Sequence, residues 1–292
     1  MKSSAFLITT LLVVSVIAAS AQTPAPTTAP ATTPVATPGQ ASRTATAPGQ
    51  AGAPRARGNP EETEVWEPLP KVIAPGKTFS DAPSDATILF DGKDLSQWVS
   101  SRDKSEAKWS VADGNFTVVS STGGIQTKNS FTNYQLHIEF RVPETVTGEG
   151  QNRGNSGIFL AATRGNAGGY EIQVLDGYNN ENKTYVNGMV GSMYKESIPL
   201  ANPARKKGEW NVYDIVWTAP TFHEDGTVKT RARITAFLNG VLVQNNYELL
   251  GETAFIGKHD YVKGGHGPLP ISLQAHGNPV SYRNIWLREL KK

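Results

Sequence analysis

The densest run of chemistry-bearing side chains is Tyr170-Glu171-Ile172-Gln173-Val174-Leu175-Asp176, where polar and apolar residues alternate. On a strand, Glu171 and Gln173 share one face while Ile172 and Val174 enter a core. A bulge near Leu175 would bring Asp176 round to the polar face. Two carboxyls and an amide along one groove supply a general acid, a general base and a hydroxyl-binding group. A solvated strand face ending in an Asp176-Gly177 turn accounts for the same residues without chemistry. A second polar run, Gln151-Asn152-Arg153-Gly154-Asn155-Ser156-Gly157, leads into a strand. Arg153 and Asn155 suit sugar hydroxyls or a carbonyl oxygen, whereas a plain turn is satisfied by Gly and Ser; the competing reading is an Asn/Gly turn with Arg153 paired to an acid. A third run, Gln274-Ala275-His276-Gly277-Asn278, sets His276 at the mouth of a strand beside Gln274, with Arg283 following. A histidine so placed is either a proton carrier or a hydrogen-bonded structural residue. Tyr178, Tyr185 and Tyr194, in a long polar loop, are candidates for sugar contacts. Trp98, Trp109, Trp210, Trp217 and Trp286 are expected mostly in the core. His137, His223, His259 and His266 show no metal-ligand spacing.

The elements that position these residues are strands. Tyr134–Val142 alternates large apolar with polar residues, which predicts a half-buried antiparallel strand. Similar segments are Thr87–Phe90, Lys108–Ala112, Phe116–Val119, Gly157–Ala161, Tyr170–Leu175, Trp210–Thr218, Arg231–Leu238, Val241–Gln244, Ile271–Gln274 and Tyr282–Glu289. Asn239-Gly240 predicts a tight type I′ hairpin, because that turn needs positive φ at both central residues. No run keeps a helical period. About eleven strands in some two hundred residues predict an all-β fold of two packed antiparallel sheets, a jelly-roll sandwich.

The N-terminus gives a compartment. Lys2, the apolar run Phe6–Ala19 and the small residues Ala19-Ser20-Ala21 form a signal-peptide pattern over residues 1–21, with cleavage expected near Gln22. The apolar run is shorter than the roughly 20 residues a spanning helix needs, so no membrane span is expected. The 292-residue chain has no cysteine, which removes disulfides, thiolate metal sites, Cys nucleophiles and a lipidated Cys. Residues 22–60 are rich in Ala, Thr, Pro and Gly and predict a disordered spacer. Residues 61–84 form a Pro-rich lead-in in which Val65, Trp66 and Leu69 are expected to pack on the domain edge. The globular domain is expected over 85–292. The net charge of +2 rests on four basic residues before residue 61; the remainder carries 24 basic and 26 acidic side chains, a net of −2. A nucleic-acid partner is therefore not expected. A secreted or periplasmic protein is.

Glu171, Gln173 and Asp176 resemble the acid-x-Asp-x-x-acid strand of concanavalin A-like sandwich glucanases, with two departures. Gln173 stands where the middle acid would be and cannot ionise, and Asp176 is the shorter acid. Gln173 thus argues against an ordinary two-carboxylate mechanism. More broadly, Ile88–Leu95 with Trp98, Arg153–Phe159, Tyr170–Tyr178, Gly208–Trp217 and Leu273–Leu290 together resemble the 3-keto-disaccharide hydrolase family, over roughly residues 61 to 292. The resemblance implies a concanavalin A-like sandwich, export, and a carbohydrate substrate already oxidised at carbon 3. A ketone there acidifies the carbon-2 proton, so a base can remove it and the enolate can expel the aglycone before water adds. For that route the base candidates are Glu171 and His276. The candidates beside the keto oxygen are Arg153, Asn155, Gln274 and Lys195, and Asp176 is the acid or a metal ligand. Gln173, Tyr178, Tyr194 and Arg283 complete the expected sugar contacts. No cofactor is firmly implied; a divalent cation would stabilise the enolate, but the sequence shows no dedicated site. Direct hydrolysis stays open as a mechanism. So do two other classes, a non-catalytic lectin-like glycan-binding module and a conventional β-glucanase.

Overall fold

The computed structural model describes residues 58–164, 168–181 and 183–290. The expected signal peptide and all but the last few residues of the expected spacer lie outside the described residues. The chain divides into two units at Glu67–Pro68. The described part of the first is a 3-10 turn, Pro60–Thr63, begun by Asn59, whose side-chain oxygen accepts from the Glu61 N–H. Val65, Trp66 and Leu69 are 87%, 77% and 75% exposed. Pro68 and Pro70 flank Leu69, and proline lacks the N–H that would join this stretch to a sheet.

The second unit is a β-sandwich. Its strands among the described residues are β1 (Thr87–Phe90), β2 (Trp98–Ser100), β3 (Ser110–Ala112), β4 (Asn115–Thr117), β5 (Ile125–Thr127), β6 (Tyr134–Arg141), β7 (Ser156–Ala162), β8 (Gly169–Val174), β9 (Asn211–Thr218), β10 (Thr221–Phe222), β11 (Val228–Thr230), β12 (Arg233–Leu238), β13 (Val241–Glu248), β14 (Ser272–Leu273) and β15 (Ser281–Glu289). One sheet has the order β13-β12-β9-β6-β15-β4-β3, with β1 also on β15. The other runs β2-β5-β14-β7-β8, and β10 pairs with β11 as a separate ribbon. Each of the eleven expected strands is present. β2, β5, β10 and β11, at two or three residues each, are too short to show a period. The fold is an all-β, concanavalin A-like jelly-roll sandwich.

Alternation does what it predicts. Tyr134, Leu136, Ile138 and Phe140 of β6 are fully buried between the sheets. Trp98, Trp109, Phe90 and Tyr282 gather around Phe116 with ring centroids 4.7–5.8 Å away. The Asn239-Gly240 turn has φ of 51° and 79°, and Leu238 pairs directly with Val241. That is the predicted two-residue hairpin.

Two faces differ from the expectation of a solvated polar side. On the outer face of the larger sheet, His137 and Glu139 are buried. Residues before β1 cross that face: the Ser80 carbonyl accepts from Asn284 Nδ2 at 2.9 Å and from Trp286 Nε1 at 3.0 Å. Asp85 also pairs with Arg288 at 2.8 Å. On the smaller sheet, β8 is last in the order yet wholly buried. Its free side is taken by residues 191–194: the Gln173 N–H donates to the Ser192 carbonyl, and the N–H groups of Gly191 and Tyr194 donate to the carbonyls of Gln173 and Glu171. A bare edge would be a template for pairing with other chains.

Candidate active site

The register of the smaller sheet builds the site. Glu171 lies opposite Phe159, and Phe159 opposite Ser272. On the next rung Gln173 lies opposite Gly157, whose carbonyl accepts from the Gln274 N–H at 2.9 Å. With period two, Glu171, Gln173, Phe159 and Gln274 all face away from the inter-sheet core. They line a cavity of about 230 Å³ together with Asn155, Tyr194, Thr253, Phe255 and His276. Such a volume lies just under the usual range of ligand pockets and admits only a small group.

Phe159, 2% exposed, forms the floor. Gly157 supplies room: a β-carbon there would lie 2.0 Å from Glu171 Oε1. The Glu171 carboxyl therefore leans over the glycine of the neighbouring strand. It is 4% exposed, and burial pushes its pKa up to about 8. Its backbone is fixed from two sides, since its N–H donates to Thr253 Oγ1 at 2.9 Å and its carbonyl accepts from the Tyr194 N–H at 3.0 Å. Burial, the hydrogen bond with the Tyr185 hydroxyl and the nearby Glu171 carboxyl all raise the pKa of Tyr194.

The amides around it are ordered by Gln151. Its Oε1 accepts from Gln173 Nε2 at 2.9 Å, and Asn155 Nδ2 donates to its carbonyl at 2.9 Å. Gln151 in turn donates to Thr184 Oγ1 and the Gly188 carbonyl. The donors of Asn155 and Gln173 are thus engaged with protein. Gln274 differs: its Oε1 is buried with no protein partner. A buried unpaired polar atom in a pocket is where a ligand hydrogen bond is worth most. His276 is exposed and stands at the rim.

Six of the residues singled out in the sequence thus converge, namely Glu171, Gln173, Asn155, Tyr194, Gln274 and His276. Six do not line the cavity, among them Tyr185, whose hydroxyl bonds that of Tyr194. Asp176 follows the end of β8, buried beside Arg153, with Nε 2.8 Å from Oδ2 in an ion contact without hydrogen-bond alignment. Arg153 also donates to the Tyr178 carbonyl. The predicted bulge does not carry Asp176 to the groove, because its N–H is held by the Arg153 carbonyl at 3.1 Å. Burial raises the Asp176 pKa against the pull of Arg153. Tyr178 is 37% exposed with Lys206 near its ring. Lys195 donates to the Phe255 carbonyl at 2.7 Å, behind the pocket wall.

Arg283 lies on the larger sheet, where it donates to Glu139 Oε2 at 2.6 Å and stacks on Trp210. Parity put it on an outer face, but of the other sheet. The residues that reading the sequence missed are Phe159, Gln151, Thr253, Phe255 and the space-giving Gly157. Only Gly157, a glycine opening a strand, carried a signal: a close approach of another group.

A family model described as the 3-keto-alpha-glucoside-1,2-lyase-like domain matches residues 85–288. The chain belongs to this family. The match spans every strand except the last residue of β15, so both the sheets and the pocket lie within the family domain. A solved structure of a candidate glycosyl hydrolase from Parabacteroides distasonis is 53% identical, with a TM-score of 0.72, over 80% of this chain and 97% of that one. A second from the same organism shares the fold at 17% identity and a TM-score of 0.54, over 71% of this chain and 94% of that one. None of the curated proteins matches. Family membership places the chain among carbohydrate-active hydrolases and lyases.

Among the described residues, no three His, Asp or Glu side chains gather as a metal cage. One buried carboxyl that keeps its proton, one imidazole and neutral amides fit a divalent ion poorly. No helix among the described residues is long and apolar enough to cross a membrane.

Proposed function

We propose that this protein is an exported enzyme that cleaves 3-keto-glycosides by elimination followed by hydration. The observation that carries the reading is Glu171: the one carboxyl among the residues lining the pocket, and one that keeps its proton at neutral pH. A retaining or inverting glycosidase uses two carboxyls of opposite protonation. A keto sugar requires only one acid, because its own ketone supplies the driving force.

His276 takes the proton from carbon 2, and the electrons of that C–H bond form an enolate onto the carbon-3 oxygen. A Gln274 side-chain N–H donates to that oxygen as charge develops, while its unpaired Oε1 is left to accept from a sugar hydroxyl. The enolate collapses to a carbon 1–carbon 2 double bond, the carbon 1–oxygen bond breaks, and Glu171 protonates the departing oxygen. Water then adds across the double bond, hydroxyl to carbon 1 and proton to carbon 2. The net change is hydrolysis.

Incubating the protein with a 3-keto-glucoside and with its unoxidised parent in D2O tests this. Cleavage of the keto form alone, with deuterium at carbon 2 above the enzyme-free background, is expected. Cleavage without deuterium would mean direct hydrolysis. Binding of both sugars without turnover would make the protein a glycan-binding module. Export is tested by N-terminal sequencing of the mature protein, which is expected to start near Gln22.

A further inference from the structure

Phe255 is an anomaly in a polar pocket. It lines the cavity that holds Glu171, yet its side chain is 66% exposed, and Ile256 beside it is 85% exposed. An exposed large ring usually moves freely, but this one is pinned. Lys195 Nζ sits 4.0 Å from the ring centroid and donates to the Phe255 carbonyl at 2.7 Å. The same ammonium lies 5.3 Å from the Tyr185 ring, and the Tyr185 hydroxyl bonds that of Tyr194, which lines the pocket.

Lys195 itself adopts φ of 61°, a left-handed conformation disfavoured for a residue with a β-carbon. Its strained backbone is held by the Asn187 carbonyl, which accepts from the Lys195 N–H at 2.7 Å, and by Asn187 Nδ2, which donates to the Lys195 carbonyl. Such strain persists where the surroundings over-determine it, and it clusters at ligand clamps.

We infer that Phe255, pinned by Lys195 and flanked by Tyr185, is a leaving-group subsite that accepts a flat aromatic aglycone. This rests on the proposed reading of the Glu171 pocket as the sugar site. A second sugar ring would need partners for its hydroxyls, and the two lining hydroxyls are already engaged, Thr253 Oγ1 with the Glu171 N–H and that of Tyr194 with the Tyr185 hydroxyl. Phe255 offers a ring face instead, with the exposed Ile256 next in the chain and the Lys195 ammonium holding the ring in place. That chemistry selects aryl over alkyl or sugar aglycones.

The test compares phenyl and methyl 3-keto-glucosides of the same anomeric configuration, with a 3-keto-disaccharide as third ligand. KM is measured on the wild-type protein, and Kd by calorimetry on Glu171→Gln. The phenyl compound is expected to bind at least about ten-fold tighter than the methyl compound. Phe255→Ala should abolish that preference, costing the phenyl compound far more affinity than the methyl compound, while Phe255→Trp should keep it. Equal affinities in the wild type, an equal loss for both ligands in Phe255→Ala, or tighter binding of the disaccharide would each overturn the subsite. A Phe255-dependent preference in binding with no turnover of any keto-glycoside would sink the proposed reaction and leave the subsite standing.

Discussion

Gly157 and the Glu171 carboxyl compete for one place: a β-carbon on the glycine would stand 2.0 Å from Glu171 Oε1. The two are not cross-strand partners, since Gly157 pairs with Gln173 and Glu171 with Phe159. The acid reaches diagonally across the sheet into a gap that only glycine leaves.

Gly157→Ala is therefore expected to expel the carboxyl, lowering kcat by at least about ten-fold and stability by about 1–3 kcal/mol. Glu171→Ala should cost activity by itself. In the double variant the clash is gone, so the stability losses should not add. Additive losses in thermal unfolding would show that Gly157 serves the backbone instead.

Glu171→Gln should abolish turnover, and its effect on stability depends on pH. The native carboxyl titrates at about 8, against about 4.3 for an unfolded chain. Between those values the native state binds the extra proton, so this contribution is full below the lower value and lost as pH rises through about 8. The wild type should lose Tm from pH 6 to pH 9 more steeply than the variant. Parallel curves would put the carboxyl in a solvated setting. A rate that falls above pH 8 is the matching sign of an acid that must hold its proton.

His137 offers a second window on the other sheet. Burial alone would lower its pKa, but the 2.7 Å hydrogen bond with Asp214 and the Glu139 carboxylate 3.6 Å away outweigh that and lift it to about 9. Its ring stacks on Trp286 at 5.1 Å. For Glu139, burial is outweighed by His137, Asn284 and Arg283, which hold the acid down to about 2. The His137 contribution is full below about pH 6.5 and lost as pH rises through about 9. That of Glu139 is lost as pH falls through about 2. His137→Gln is expected to cost on the order of 2 kcal/mol at pH 7 and to flatten the decline between pH 7 and 9.5, with kcat/KM unchanged. Arg283→Met should likewise lower Tm and spare activity; a loss of kcat/KM would return Arg283 to the sugar site.

A chain beginning at Glu61 should unfold at the same temperature as one beginning at Gln22, because residues 22–60 lack the apolar side chains to join a core. A drop of several degrees would show that the spacer docks.

Strand positions were legible because a period of two is a local property. Glu171 and Gln173 could be assigned a common face from Ile172 and Val174 alone, and Asn239-Gly240 named its own turn. Parity stops being informative where a strand stops. Asp176 lies two residues beyond β8, and there the backbone bond to Arg153 decides its direction. Parity also says outward without saying from which sheet, so Arg283 and His276 read alike in sequence yet serve different faces. Polar alternation at His137 and Glu139 implied water; the face is covered instead by chain around Ser80, a pairing across some two hundred residues that no local pattern encodes. Thr253 and Phe255 reach the pocket from a loop without any period.

The segment closing the side of β8 is attached through main-chain hydrogen bonds at residues 191–194. Those bonds ask nothing of side-chain identity. Tyr194 and Lys195, on or beside that segment, can therefore be exchanged without opening the sheet's edge, as can Tyr185 in the preceding loop. The residues around the pocket mouth are thereby uncoupled from the integrity of the sheet, so the pocket can be reshaped while the scaffold stays as it is.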